Sequence, residues 1–95
     1  MIRHSVVFKL KHPAGSQEER NFLDEARKLE SIPGVMKFEV MKQISSKNPY
    51  TYGISMEFED QNSYDFYTNH TDHTRFVQEL WIPNMEVFLE IDYML

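Results

Sequence analysis

Four runs of this chain alternate apolar and polar residues, and two stretches between them carry apolar residues at helical spacing. In residues 2–11, Ile2, His4, Val6, Phe8 and Leu10 point one way, against Arg3, Ser5, Lys9 and Lys11 with Val7 among them. That pattern predicts a strand with one apolar face. "HPAG" breaks it. Ser16, followed three residues later by Glu19, reads as a capping box, and Phe22, Leu23, Ala26 and Leu29 then recur as on a helix. "IPG" ends that helix. A second strand is predicted over 35–44, with Met36, Phe38 and Val40 on one face and Val35 and Met41 on the other. After the loop "SSKNP", a third covers 50–59, with Tyr50, Tyr52, Ile54, Met56 and Phe58 on one face. Asp60 is placed to cap a second helix starting near Gln61, running to about Leu80 with a break near 69–72. "IPN" stops it, and "MEVFLEIDYML" is the fourth strand. There Val87, Leu89, Ile91 and Tyr93 lie on one side, Phe88 and Met94 on the other.

The order β-α-β-β-α-β defines an α+β, ferredoxin-like domain, a four-stranded antiparallel sheet with helices on one face. The 95 residues make one domain, 1–95. Two helices cover only one side of such a sheet, yet the second and fourth strands are partly apolar on both. The uncovered side predicts a homodimer whose sheets meet face to face.

Composition narrows the function. The formal net charge is −5, with no basic block, which excludes nucleic acid as an expected partner. No cysteine is present, so disulfides, thiolate nucleophiles and cysteine-held zinc drop out, and the chain suits a reducing cytoplasm. "MIRHSVVFKLK" lacks the unbroken apolar core of a secretory signal, and no segment approaches a membrane span. Scattered glycines make no phosphate-binding loop, there is no GxSxG, and no nucleotide or flavin cofactor is expected.

The polar chemistry concentrates in "YTNHTDHTRF", residues 67–76. On a helix over 63–81, Phe66, Tyr67, His70, His73, Thr74, Val77, Leu80 and Trp81 share one apolar stripe, with Phe76 at its edge. His70 and His73 have the spacing of a metal pair, but two ligands are too few for a zinc site, and Asp65 and Asp72 project away from the stripe; no metal is expected. An acid–base pair needs less. Tyr67 can hold a carbonyl and His73 can take a proton, with His4 of the first strand and Tyr52 of the third reaching the same space. His70 is read as capping the break and His12 as solvated. Glu90 either points into the helix-side space or lies at an exposed edge.

Together, "MIRHSVVFKLK", "SIPGVMKFEV", "EFEDQNSYDFYTNHTDH" and the closing "IDY" resemble the stress-responsive α/β-barrel (Dabb) domain family, across nearly the whole chain. The resemblance implies a ferredoxin-like fold that pairs through its sheets into a dimeric α/β barrel. It also implies a likeness to plant olivetolic acid cyclase, a family enzyme that closes a linear polyketide without a cofactor. Its catalytic tyrosine and histidine correspond to Tyr67 and His73, and a first-strand pocket histidine to His4. Another pocket histidine falls at Tyr52, and the family's H-P-x-H reads H-T-D-H here, with Thr71 in place of proline. Catalytic Tyr67 and His73, with ligand-lining His4, Phe38, Tyr52, Ile54, His70 and Phe76, form the candidate site. Three functions follow: a homodimer binding a small apolar or aromatic ligand, a cofactor-independent polyketide-cyclase-like lyase, or a cofactor-free monooxygenase of the same architecture.

Overall fold

The alternation of residues 2–11 becomes strand β1, Ile2–Leu10, in the computed structural model, which describes residues 1–95. Its even-numbered residues are all buried beneath the helices. Helix α1, Gln17–Arg27, starts where Ser16 accepts the Glu19 N–H at 3.2 Å. The Glu19 carboxylate reaches back to the Gly15 N–H at 3.1 Å, one residue earlier than a capping box expects. The reason is local: the Ser16 N–H already donates to the Pro13 carbonyl at 3.1 Å. A 3₁₀ turn, Lys28–Ser31, tightens the end of α1, and Gly34 at φ +93° takes the chain into the sheet, a backbone angle that glycine adopts without strain.

Strand β2, Met36–Lys42, and strand β3, Tyr52–Phe58, are each shorter than predicted, and Tyr50 falls in the loop. The alternation of β2 also breaks. Met36 pairs with Glu57 and Glu39 with Ser55, so Lys37 and Phe38 together face Met56. Lys37 carries φ +50°, the left-handed conformation typical of a bulge. The extra residue turns Met36 onto the uncovered face and leaves Val35, with Phe38 and Val40, packed on the core. The expectation that Met36 shares a face with Phe38 and Val40 is thereby corrected.

The second helical region is segmented. Helix α2, Gln61–Asn69, is capped by Asp60, which accepts the Ser63 N–H at 2.9 Å. His70 is extended, with ψ 139°, and separates α2 from α3, Thr71–Phe76. A π-helical turn, Val77–Trp81, and a short α4, Ile82–Asn84, lead into strand β4, Met85–Met94. Each helical residue advances about 100°, and one extended residue resets that phase. The single stripe therefore does not survive: Phe66 is 53% exposed and Thr74 is exposed, while Phe76 is buried rather than marginal.

The strands are ordered β2-β3-β1-β4, all neighbours antiparallel, with β2 and β4 at the edges. Phe8, Phe22, Met56 and Phe58 are the most deeply buried large side chains, each contributing about 1.5–3 kcal/mol through burial. Phe8 of the sheet meets Trp81 of the helical layer at 5.2 Å, and within that layer Phe22 meets Phe76 at 5.4 Å. On the other face of the sheet, Met36, Met41, Leu89, Ile91 and Tyr93 remain exposed. No helix is long and apolar enough to cross a membrane.

Candidate functional site

The helical layer and the sheet do not close completely. A cavity of about 400 Å³ lies between them, and 11 of its 15 lining residues are hydrophobic. Trp81, Ile82 and Phe88 line its apolar part, with Val77 and Trp81 presented by the π-helical turn. Such turns are rare and recur at functional sites. His4, Tyr64, Tyr67, His73 and Glu90 supply the polar part.

His73 donates from Nδ1 to the Thr68 carbonyl at 3.0 Å. A carbonyl only accepts, so Nδ1 holds the hydrogen and Nε2 of the neutral ring holds the lone pair. Burial pushes its pKa below the ordinary histidine value; the Thr68 carbonyl opposes this, His4 reinforces it and Glu90 again opposes it. The Tyr67 ring lies 4.5 Å from the His73 ring. Tyr67 is only 2% exposed, yet its hydroxyl makes no hydrogen bond within the chain. Since no enclosed side-chain nitrogen or oxygen lacks a partner, that hydroxyl opens onto the cavity. Burial, then the charge of Glu90, raises its pKa, so it stays a neutral donor.

A second cluster stands beside this pair. His4 Nδ1 is 2.7 Å from Asp92 Oδ1 and 2.8 Å from Tyr64 Oη. Tyr64 donates to Asp92 Oδ2 at 2.7 Å, so the carboxylate takes hydrogens from both rings and leaves His4 Nε2 as the free nitrogen. Glu90 Oε1 lies 3.3 Å from Tyr64 Oη. Burial, then hydrogen bonding to Asp92, raises the Tyr64 pKa far above its ordinary value. The register explains the convergence. His4 pairs with Asp92 and Val6 with Glu90 across β1 and β4, and directly opposed residues share a face. Glu90 combines the two placements open to it: it lines the cavity on the helix side, and its side chain is half exposed on the edge strand β4.

Of the predicted residues, Tyr67, His73, His4, Ile54 and Phe76 line the cavity. Phe38, Tyr52 and His70 do not. Phe38 packs against the core from the bulged strand. The Tyr52 hydroxyl donates to Glu19 at 3.0 Å, outside the cavity, and burial and that carboxylate raise its pKa. His70 caps α3, its Nδ1 accepting the Asp72 N–H at 3.1 Å. His12 is not merely solvated, because its Nε2 meets Asn84 Oδ1 at 2.6 Å. Tyr64, Glu90 and Asp92 were not among the predicted site residues. Their signal was present: two acids two apart on the last strand, and a tyrosine one helical turn before Tyr67.

His4, Glu90 and Asp92 also bring one donor atom each within 4.8 Å, a set of metal-ligating types distinct from the His70–His73 pair. His4 Nδ1 and Asp92 Oδ1 stand at hydrogen-bond separation, 2.7 Å, with Tyr64 joined to both residues. A zinc-sized ion bonded to each at about 2.0–2.2 Å would have to spread them to roughly 3 Å or more.

The sheet order, the one-sided helical layer and a cavity with its polar groups on β1, α2, α3 and β4 define a ferredoxin-like α+β domain with a small-molecule-sized site. The chain belongs to the stress-responsive A/B barrel domain (Dabb) family, which it matches over residues 2–95. It is 25% identical over 95 residues to a stress-response A/B barrel domain-containing protein of Arabidopsis thaliana, covering 98% of this chain but only 36% of that protein's length. A Dabb family protein with a ferredoxin-like fold from Mesorhizobium loti is 53% identical, with a TM-score of 0.97 over 99% of this chain and 95% of that one. A dimeric ferredoxin-like protein from Thermobifida fusca, 16% identical, superposes with a TM-score of 0.83 over 99% and 90% of the two chains. A hydroxynitrile lyase from Passiflora edulis, 14% identical, does so at 0.86 over 99% and 92%.

Proposed function

We propose that this domain binds a small, mostly apolar carbonyl compound in the cavity and performs cofactor-independent acid–base chemistry on it, as a cytoplasmic homodimer. The observation that carries this reading is Tyr67: its ring is buried, its hydroxyl opens onto the cavity without a protein partner, and it stands beside a neutral histidine oriented by a backbone carbonyl. A hydroxyl that no protein group satisfies and that faces an apolar cavity is free to donate to a ligand. Tyr67 donates to the substrate carbonyl. His73 Nε2 removes a proton from the adjacent carbon, and the resulting enolate oxygen stays held by Tyr67. The enolate carbon forms a C–C bond to a second carbonyl carbon, whose oxygen takes the proton back from His73. Run backwards, the same steps cleave that bond. A hydroxynitrile lyase of the same fold is in keeping with carbonyl chemistry in such a cavity.

The homodimer reading rests on the uncovered sheet face, where Met36 and Met41 of β2 and Leu89, Ile91 and Tyr93 of β4 stay exposed. The description of the Thermobifida fusca protein as dimeric accords with it. Sedimentation giving a monomer at micromolar concentration would sink this part.

The chemistry can be tested without knowing the natural substrate. Exchange of the α-protons of 4-phenylbutan-2-one into deuterated water, followed by NMR, reads proton abstraction directly. The protein should accelerate exchange over buffer, and His73→Ala should return it to the buffer rate while leaving the fold intact. A rate unaffected by His73→Ala, or no acceleration across a series of small aromatic and aliphatic ketones, overturns the acid–base reading.

A further inference from the structure

The carboxylates around the cavity face no Lys or Arg. Beside it, along the β4 edge, runs a groove lined by Gln61, Asp65, Asp92 and Tyr93 among others, and the two spaces share Tyr64, Thr68 and Glu90. Asp65, Glu90 and Asp92 are therefore the ionisable acids of the two linings, and no Lys or Arg lines either. Glu90 and Asp92 meet no cation except the His4 ring, if that is protonated. The cationic side chains of β1 are committed elsewhere: Arg3 to Glu57 at 2.6 Å and Lys9 to Glu86 at 3.1 Å. Glu90 is the acid common to both linings, its side chain half exposed at the boundary between them. The apolar lip of the opening, Ile82 and Phe88, is half exposed or more.

We infer that Glu90, with Asp65 and Asp92 behind it, makes this site select against carboxylates and phosphates and in favour of an apolar ligand carrying a protonated amine. The inference rests on the cavity being a ligand site, as proposed above, and concerns which ligand class enters it. Three features on different elements point to that class together: an apolar cavity, an unpartnered Tyr67 hydroxyl open into it, and an acidic rim at its edge that no Lys or Arg meets. A unit charge held within about 6 Å of the Glu90 carboxylate, in a partly hydrated site, changes affinity by roughly tenfold in either direction. The amine is drawn in and the carboxylate repelled, so their ratio should differ about a hundredfold.

Three probes of matched shape test this: 4-phenylbutylamine, 4-phenylbutan-2-one and 4-phenylbutanoate, titrated by NMR at pH 7.5 and low salt. The expected order of affinity is amine, ketone, carboxylate. Glu90→Gln should reduce the amine-to-carboxylate ratio at least tenfold, Glu90→Lys should reverse it, and added salt should narrow the wild-type ratio. Asp65→Asn should reduce it by a smaller factor. Carboxylate binding as tight as amine binding, or a ratio unmoved by both Glu90 variants, overturns the selection while leaving the cavity a ligand site. If none of the three perturbs the resonances of Tyr67, His73 or Trp81, the ligand-site reading fails, and the selection fails with it.

Discussion

Two tyrosines on one helix, Tyr64 and Tyr67, should respond in opposite ways to losing their hydroxyls. Tyr67 Oη has no protein partner, so Tyr67→Phe leaves no orphaned group and retains the buried ring against Phe58, at 5.3 Å, and His73. The expected change in stability is within about 0.5 kcal/mol, or a slight gain, because a polar atom leaves an apolar cavity. Tyr64 Oη instead meets His4 at 2.8 Å, Asp92 at 2.7 Å and Glu90 at 3.3 Å. Tyr64→Phe deprives Asp92 of a donor and should cost about 1–2 kcal/mol, at the low end because Asp92 is partly hydrated. For a domain of this size, that lowers Tm by roughly 4–15 °C, while Tyr67→Phe should leave Tm almost unchanged. Urea denaturation monitored by circular dichroism measures both. Ketone proton exchange supplies the second axis: Tyr67→Phe should slow it about 10²-fold, as expected from loss of one oxyanion donor. A Tyr67→Phe variant destabilised by more than about 1 kcal/mol would show that the hydroxyl is structural, and the reasoning from its unpaired state would fail.

The remaining predictions concern the base, the sheet and the first helix. The pKa of His73 is lowered in the folded state, so the unfolded chain binds the extra proton first. Stability should be fully present above about 6.5 and should decline as pH falls through the window below it; urea melts at several pH values should show a flatter profile there for His73→Gln. The lowered pKa values of Glu57 and Asp60 act in a separate window below about 4.5, so the two are separable. Leu89→Lys together with Ile91→Asp should abolish the proposed self-association in sedimentation velocity, with circular dichroism retained. Ser16→Ala removes the hydroxyl that accepts the Glu19 N–H and should cost about 1 kcal/mol in denaturant melts.

Much of this molecule is legible in its residue pattern, for a physical reason. Strand alternation and helical spacing record which residues face the core, and proline, glycine and capping side chains mark where elements end. The period-two run of β1, the Ser16 and Asp60 caps and the extended break at His70 are all local consequences of adjacent residues. The partial failures are non-local. The bulge at Lys37 depends on how β2 aligns with β3, and it moved Met36 to the opposite face. Treating 63–81 as one helix kept Phe66 and Thr74 in the stripe, because the turn at His70 resets the phase of everything after it. Tyr52 shows the same limit: its face was read correctly, but only packing decided that its hydroxyl would meet Glu19 of α1.

The candidate site divides along that line. Tyr67 and His73 are six residues apart, close enough for the local pattern to bring them together. His4 and Asp92 are separated by 88 positions, and nothing in either neighbourhood announces the other. They meet because β4 returns to pair beside β1 in a register that sets His4 against Asp92 and Val6 against Glu90. A shift of one residue in that register would have sent both acids to the uncovered face. From its own residues the chain therefore determined the order of its elements, their caps and the face each strand buries. Strand register and helix packing decided which distant polar groups share one cavity, because those contacts exist only after the sheet has formed.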